Sequence, residues 1–157
     1  MEPRIDHTKV GQGALMAMFG LSKYLAKSSI EIKLQHLIEL RVSQINGCAY
    51  CIDMHSKDLR HEGETEQRLY MLNAWSESPF YTDRERAALE WAETLTLVAA
   101  THAPDDVYNR VKAQFTEQEI VDLTFAIATI NSWNRLNIAL RMVPGTYQPG
   151  QFETMTA

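Results

Sequence analysis

A chain of 157 residues, 45% of them apolar and 22% charged, has room for one domain with a buried core. Seven glycines and five prolines are few for a fold of many tight turns, which argues against a sandwich or barrel. A net charge of -5 with no Lys/Arg run offers nothing to a phosphate backbone, so nucleic acid is excluded as a partner.

Residues 1–13 are polar and carry Pro3, Gly11 and Gly13, as expected of a loose arm. The first helix is expected from about Gln12 to Ala26, with Leu15, Met18, Phe19 and Leu25 on its apolar side. Its run Ala14–Leu21 is too short to cross a bilayer, and no cationic segment with a small-residue cleavage site precedes it. A cytoplasmic protein without membrane contact is expected. Ser28-Ser-Ile-Glu31 has the spacing of a capping box and would open a second helix. Leu34, Leu37, Ile38, Val42 and Ile45 give that helix one buried stripe, and Asn46-Gly47 ends it.

A third helix starts near Cys48 and stops at Gly63. A fourth spans about Thr65 to Trp75, with Leu69, Leu72 and Trp75 inward, and Ser76-Glu-Ser-Pro79 breaks it. Thr82-Asp-Arg-Glu85 is a second capping box. It opens a helix to about Ala100, with Ala88, Leu89, Trp91, Ala92, Leu95 and Val98 as apolar members. Pro104-Asp-Asp suits the first turn of a sixth helix, which runs to about Phe115. Thr116-Glu-Gln-Glu119 is a third box, and the last helix extends from about Glu117 to Met142, before Pro144-Gly145. The tail after Tyr147 has no periodicity and is expected to be mobile. No stretch alternates as a strand should, and no repeat or composition shift marks a second domain. The expected fold is a single all-α domain over residues 1–157, its core at about 28–142, with six or seven helices.

Both cysteines of the chain lie in one stretch, Cys48-Ala-Tyr-Cys51, and His55 follows four residues later. Residues advance about 100° each on a helix, so steps of three and four put Cys48, Cys51 and His55 on one stripe. The pair can close into a disulfide, and the imidazole is within reach of a thiol. Unpaired N–H groups at a helix start favour the thiolate, which is the reactive form. Such a set supports a cycle in which a thiolate attacks an electrophilic oxygen or sulfur and the second thiol resolves the product. Helix geometry alone favours Cys48, nearer the helix start, as the reactive thiol. Two alternatives stand beside this. The cysteines can be small apolar residues of a helix, or they can join His55 and one of His36, His61 or an acidic group around structural zinc. Zinc sites usually gather ligands from separate elements, and no second Cys/His pair at ligand spacing is present, so no metal or other cofactor is expected.

Glu39 lies about 100° off the apolar stripe of its helix, which by itself makes it a solvated or salt-bridged carboxylate. Asn131, Trp133, Asn134, Arg135 and Asn137 interrupt the last helix. Either Trp133 and Asn134 line a pocket at the dithiol, or these residues make helix–helix or subunit contacts.

The stretch Glu39-Leu-Arg-Val-Ser-Gln-Ile-Asn-Gly-Cys48-Ala-Tyr-Cys51-Ile-Asp-Met-His55 resembles the core motif of the alkylhydroperoxidase D family, within the carboxymuconolactone decarboxylase superfamily. Ile130-Asn-Ser-Trp-Asn-Arg135 is similar to the matching part of its small single-domain members, so the likeness covers roughly Ser28 to Arg141. The resemblance implies an all-helical homo-oligomer, a dimer, trimer or hexamer, that reduces organic hydroperoxides with a thiol or dithiol donor, which can be a protein. It implies that Cys51 is the peroxidatic thiol, Cys48 the resolving one, His55 the proton relay, and Glu39 an acidic residue near the dithiol. Tyr50 departs from the pattern, because the family's best-characterised peroxidases carry histidine between the cysteines. A tyrosine donates a hydrogen bond but is a poor base near neutral pH. Tyr50, with Trp133 and Asn134, is expected to meet the substrate. The departure leaves open a second role, disulfide exchange or redox sensing by the same dithiol. Lactone decarboxylation does not carry over.

Overall fold

The computed structural model describes residues 1–152. Over them the chain forms α1 (Gln12–Leu25), α2 (Ile32–Asn46), α3 (Ala49–His61), α4 (Glu66–Met71), α5 (Asp83–Thr96), α6 (Val98–Thr101), α7 (Asp105–Lys112) and α8 (Glu117–Leu140). A 3-10 segment, Leu72–Glu77, continues α4. Among the described residues there is no strand, so the all-α expectation holds. No helix among them is long and apolar enough to cross a membrane.

α2 is the central element and packs on α3, α5 and α8. Its stripe Leu34, Leu37, Ile38 and Val42 is buried against Leu59 of α3, Ala88 and Leu89 of α5, and Leu123, Ile127 and Ile130 of α8. Each such side chain contributes roughly 1.5–3 kcal/mol on leaving water. α1 lies along α8, and α7 closes the far side of α5. Asp122 of α8 is buried but accepts from Tyr24 Oη at 2.7 Å, Ser29 Oγ at 2.7 Å, Ser29 N at 3.1 Å and Gln118 Nε2 at 3.0 Å. Burial pushes its carboxyl up, but the bonds from Tyr24 and Ser29 outweigh burial and hold it below its ordinary value.

The boxes at Thr82–Glu85 and Thr116–Glu119 both form, with each threonine accepting from the glutamate N–H and each glutamate reaching back. The expected box at Ser28–Glu31 does not form. α2 starts at Ile32, so Glu31 is the residue before the helix and not its third; Ser28 N donates to Leu25 O at 3.0 Å, and the Glu31 carboxylate pairs with Arg84 at 3.1 Å. Gln35 ties this corner instead, donating to Leu25 O, Ile30 O and Ser28 Oγ. The fifth helix ends at Thr96 rather than Ala100, and the turn at Leu97 separates the short α6. Val98, expected inward, is half exposed as a result. His102 and Ala103 then take positive φ, 54° and 48°, to redirect the chain into α7.

The two ends of the chain are packed. Arg4 N donates to Leu140 O at 2.9 Å and Arg4 Nη1 to Ala139 O at 3.0 Å. At the other end Gly145 N donates to Asp53 Oδ2 at 2.9 Å, and Lys57 Nζ donates to the carbonyls of Gly145 and Tyr147. Phe152 stacks on Tyr147 and meets Phe19. The mobile tail expected after Tyr147 is therefore an ordered strap as far as Phe152, and residues 153–157 lie outside the described residues.

Candidate active site

Gly47 ends α2 in the left-handed region, φ 70°, and turns the chain sharply into α3. A Cβ is disfavoured there by the backbone itself, which accounts for glycine after Asn46. Cys48 N donates to Ser43 O at 3.0 Å, and Cys48 is the N-cap of α3, its Sγ accepting from Cys51 N at 3.4 Å. α8 clamps this turn from below. Asn46 Nδ2 donates to Asn131 Oδ1 at 3.0 Å and to Asn134 Oδ1 at 2.9 Å, while Asn134 Nδ2 donates to Ser43 Oγ at 3.0 Å.

Cys48 and Cys51 are joined as a disulfide across the first turn of α3, and both are buried. Their Cα atoms are 5.3 Å apart, inside the range a disulfide needs. Asn137 Nδ2 donates to Cys51 Sγ at 3.4 Å. That contact singles out Cys51, not Cys48, as the sulfur with a side-chain donor. His55, one turn beyond, is buried, and neither ring nitrogen has a hydrogen-bond partner among the described residues. Glu39 Oε2 is 3.3 Å from His55 Nδ1, off the axis of a hydrogen bond, and Asp58 Oδ2 is 3.9 Å away. Glu39 is not the surface carboxylate that helix periodicity suggests: α3 packs over it and leaves 18% of its side chain exposed.

His36, one turn before Glu39, lies with Nδ1 2.7 Å from Glu62 Oε1, and its ring centroid is 6.1 Å from that of His55. Burial pushes the His36 imidazolium down, but Glu62, with Glu39 and Asp58, outweighs it and raises the group to about 9. His55 goes the other way, to about 3, through burial and then the positive His36. Burial raises Glu39 to about 7; His36 opposes this and the nearby Asp58 and Glu62 add to it. Near neutral pH the site therefore holds a neutral His55, a charged His36 and a Glu39 carboxyl that takes or gives a proton. Asp58 accepts from Tyr147 Oη at 2.7 Å, so the strap reaches the same cluster.

These groups form one end of a cavity of about 710 Å³. His36, Glu39, Tyr50, His55 and Asn137 line it there, while Phe19, Ile130, Trp133, Met142 and Phe152 make its apolar walls. The volume suits a small organic molecule. Tyr50 is half-buried, and its phenol is raised by burial and then by Asp53. Trp133 donates to Ser22 Oγ at 3.3 Å and packs on Phe19. Asn134 is not on the cavity wall; it is fully buried in the α8–α2 contact just described. Of the residues singled out in the sequence, the fold brings together Cys48, Cys51, His55, Glu39, Tyr50 and Trp133. It also brings in His36, named in the sequence only as a candidate zinc ligand, and Asn137, named there as a polar residue in an apolar helix. Glu62 is new and carries no sequence signal. As for structural zinc, among the described residues no three His, Cys, Asp or Glu are grouped to hold a metal ion.

Residues 12–94 match the carboxymuconolactone decarboxylase family. The uncharacterised protein YdfG of Bacillus subtilis is 46% identical over 89% of this chain and 95% of its own. A crystal structure from Agrobacterium tumefaciens, of a protein of unknown function assigned provisionally to the antioxidant defence protein AhpD, is 42% identical with a TM-score of 0.89. It covers 93% of this chain and all of that one. An uncharacterised peroxidase-related protein from Silicibacter is 26% identical, with a TM-score of 0.75 over 87% of this chain and 72% of its own. With the family match over more than half of its length and a dithiol at the head of α3, the chain belongs to the carboxymuconolactone decarboxylase family, on its alkylhydroperoxidase D-like side.

Proposed function

We propose that the protein is a thiol-dependent peroxidase that reduces organic hydroperoxides through the Cys48–Cys51 dithiol. The observation that carries this is Cys51 beside Asn137, one turn before a buried His55 that borders the cavity. In the reduced protein the Cys51 proton passes over His55, which takes it at one ring nitrogen and gives it up at the other, to the Glu39 carboxylate, and the Asn137 amide and the head of α3 stabilise the thiolate. Glu39, 3.3 Å from His55, takes or returns that proton at neutral pH. The thiolate attacks the outer peroxide oxygen, an alcohol leaves, and Cys48 displaces water from the sulfenic acid to close the disulfide. A thiol or dithiol donor reduces it again. Tyr50, Trp133 and the apolar wall hold the organic group, and Asn134 serves by fixing the turn that carries Cys48.

The AhpD assignment of the Agrobacterium protein and the peroxidase-related Silicibacter protein support the same reading. We also propose a cytoplasmic homo-oligomer. The outer face of α8 with Val121, Phe125 and Ile138, each near half exposed, supports subunit packing, and sedimentation gives the mass that tests it. Steady-state turnover of cumene hydroperoxide with a dithiol reductant tests the chemistry. Wild type should turn over, Cys51→Ser should be inactive, and full activity in the double Cys→Ser variant would rule the dithiol out. Tyr50 in place of histidine favours one other reading, disulfide exchange with a protein partner. Background peroxide consumption together with fast exchange against such a partner would select it.

A further inference from the structure

Four histidines border this cavity, His7, His36, His55 and His61, and the chemistry above uses only His55. His36 is 20% exposed in its side chain, faces the cavity, and holds Nδ1 2.7 Å from Glu62 Oε1. Its ring centroid is 6.1 Å from that of His55. We propose that His36, held against Glu62 on the cavity wall, is the acid that protonates the oxygen leaving from the peroxide, a role that rests on the peroxidase reading above.

The groups that face His36 agree with that role. Glu39 comes from α2, His55, Asp58 and His61 come from α3, Glu62 is the residue that ends α3, and His7 and Tyr147 come from the two end segments. The three acidic groups, Glu62, Glu39 and Asp58, act to keep His36 charged, and His36 in turn keeps His55 neutral. Of His36 and His55, only His36 has a proton to give at neutral pH, while neutral His55 can only pass one on. One ring is placed to act as the acid and the other as the relay.

The step balances as follows in atoms and electrons. Cys51 thiolate forms an S–O bond to the outer oxygen, and the O–O pair leaves on the inner oxygen as alkoxide. Sulfur is oxidised to a sulfenic acid and the peroxide is reduced. The alkoxide takes the His36 proton and departs as an alcohol. Cys48 thiol then closes the disulfide and releases water. A dithiol donor restores both thiols and is itself oxidised to a disulfide. The proton Cys51 gives up on returning to thiolate passes by His55 to recharge His36.

The test compares wild type, His36→Gln and Glu62→Gln with two substrates. Cumene hydroperoxide loses an alkoxide and needs a proton, whereas an aromatic peroxyacid loses a carboxylate and does not. His36→Gln should lose about 100-fold in kcat/KM with cumene hydroperoxide and little with the peroxyacid. The alkaline limb of the wild-type cumene hydroperoxide profile, near the His36 value of about 9, should move to lower pH in Glu62→Gln, which keeps the ring without its counter-ion. Equal losses on both substrates, or no loss, would overturn the role of His36. Should His36→Gln fail to fold, an unmoved limb in Glu62→Gln overturns it alone. No turnover by wild type, or turnover that survives Cys51→Ser, overturns the peroxidase reading and this role with it.

Discussion

Replacing Glu39 with glutamine exchanges a buried carboxyl for a neutral amide of the same shape, so its effect on stability should change with pH. The carboxyl has an unfolded value of 4.5 and a folded value of about 7. Between these the folded state holds the proton and the unfolded state does not, so wild type loses stability as pH rises through that window. At about 1.4 kcal/mol per unit the loss sums to about 3 kcal/mol. His55 acts in the opposite direction. Its folded value of about 3 lies below 6.5, so its contribution is complete above 6.5 and disappears as pH falls towards 3. His36, raised to about 9, contributes fully below 6.5 and is lost as pH rises through 9. In wild type the Glu39 and His55 slopes oppose each other between 4.5 and 6.5, giving a flat profile that falls above it. Glu39→Gln removes one slope, so the variant should rise across that window and gain about 3 kcal/mol on wild type by pH 7. Urea denaturation of the oxidised proteins, followed by tryptophan fluorescence from pH 4 to 9, measures both curves. Parallel curves for the two proteins would refute the buried, proton-holding Glu39.

Asn134→Ala strips partners from buried Ser43 and part-buried Asn46, and should cost about 2–4 kcal/mol in urea denaturation; a loss under about 1 kcal/mol would contradict the clamp. Asp122→Asn should destabilise at neutral pH by about 1–3 kcal/mol. The Asp122 carboxyl is held below its ordinary 3.8, so its contribution is present above that value and lost in acid, and the two proteins should converge as pH falls below 3.8. Trp133→Ala removes an apolar wall and should raise KM for cumene hydroperoxide about tenfold, with a smaller change in kcat, as steady-state kinetics would show.

Elements whose stop and start signals are local were legible in the sequence. The boxes at Thr82 and Thr116 need only their own four residues, and both form. Ser28–Glu31 has the same spacing and fails because the chain leaving α1 takes the Ser28 amide and α2 starts only at Ile32, which leaves the Glu31 carboxylate to Arg84, 53 residues away. The dithiol and His55 were readable because all three sit on one helix. Glu39 was placed by family likeness, since its burial comes from α3 lying across α2 and not from its own periodicity. His36 was named only as a candidate zinc ligand and Glu62 not at all, because their contact joins α2 to the end of α3 and nothing in the sequence near either marks it. The ordered strap was missed because its bonds to Asp53, Lys57 and Asp58 replace the periodicity that a helix would have shown.

The cavity is assembled from unequal parts. Its floor is the contiguous stretch of α2 and α3, anchored in the core, but its roof is the two end segments, each held by a few bonds to helix ends and to surface groups of α3. Such a roof has its own opening free energy, well below that of the bundle. Amide exchange along residues 1–10 and 143–152 should therefore be fast while α2 stays protected. Entry of a bulky ligand then takes the form of local peeling of the ends, with the disulfide and its proton-holding neighbours left undisturbed beneath.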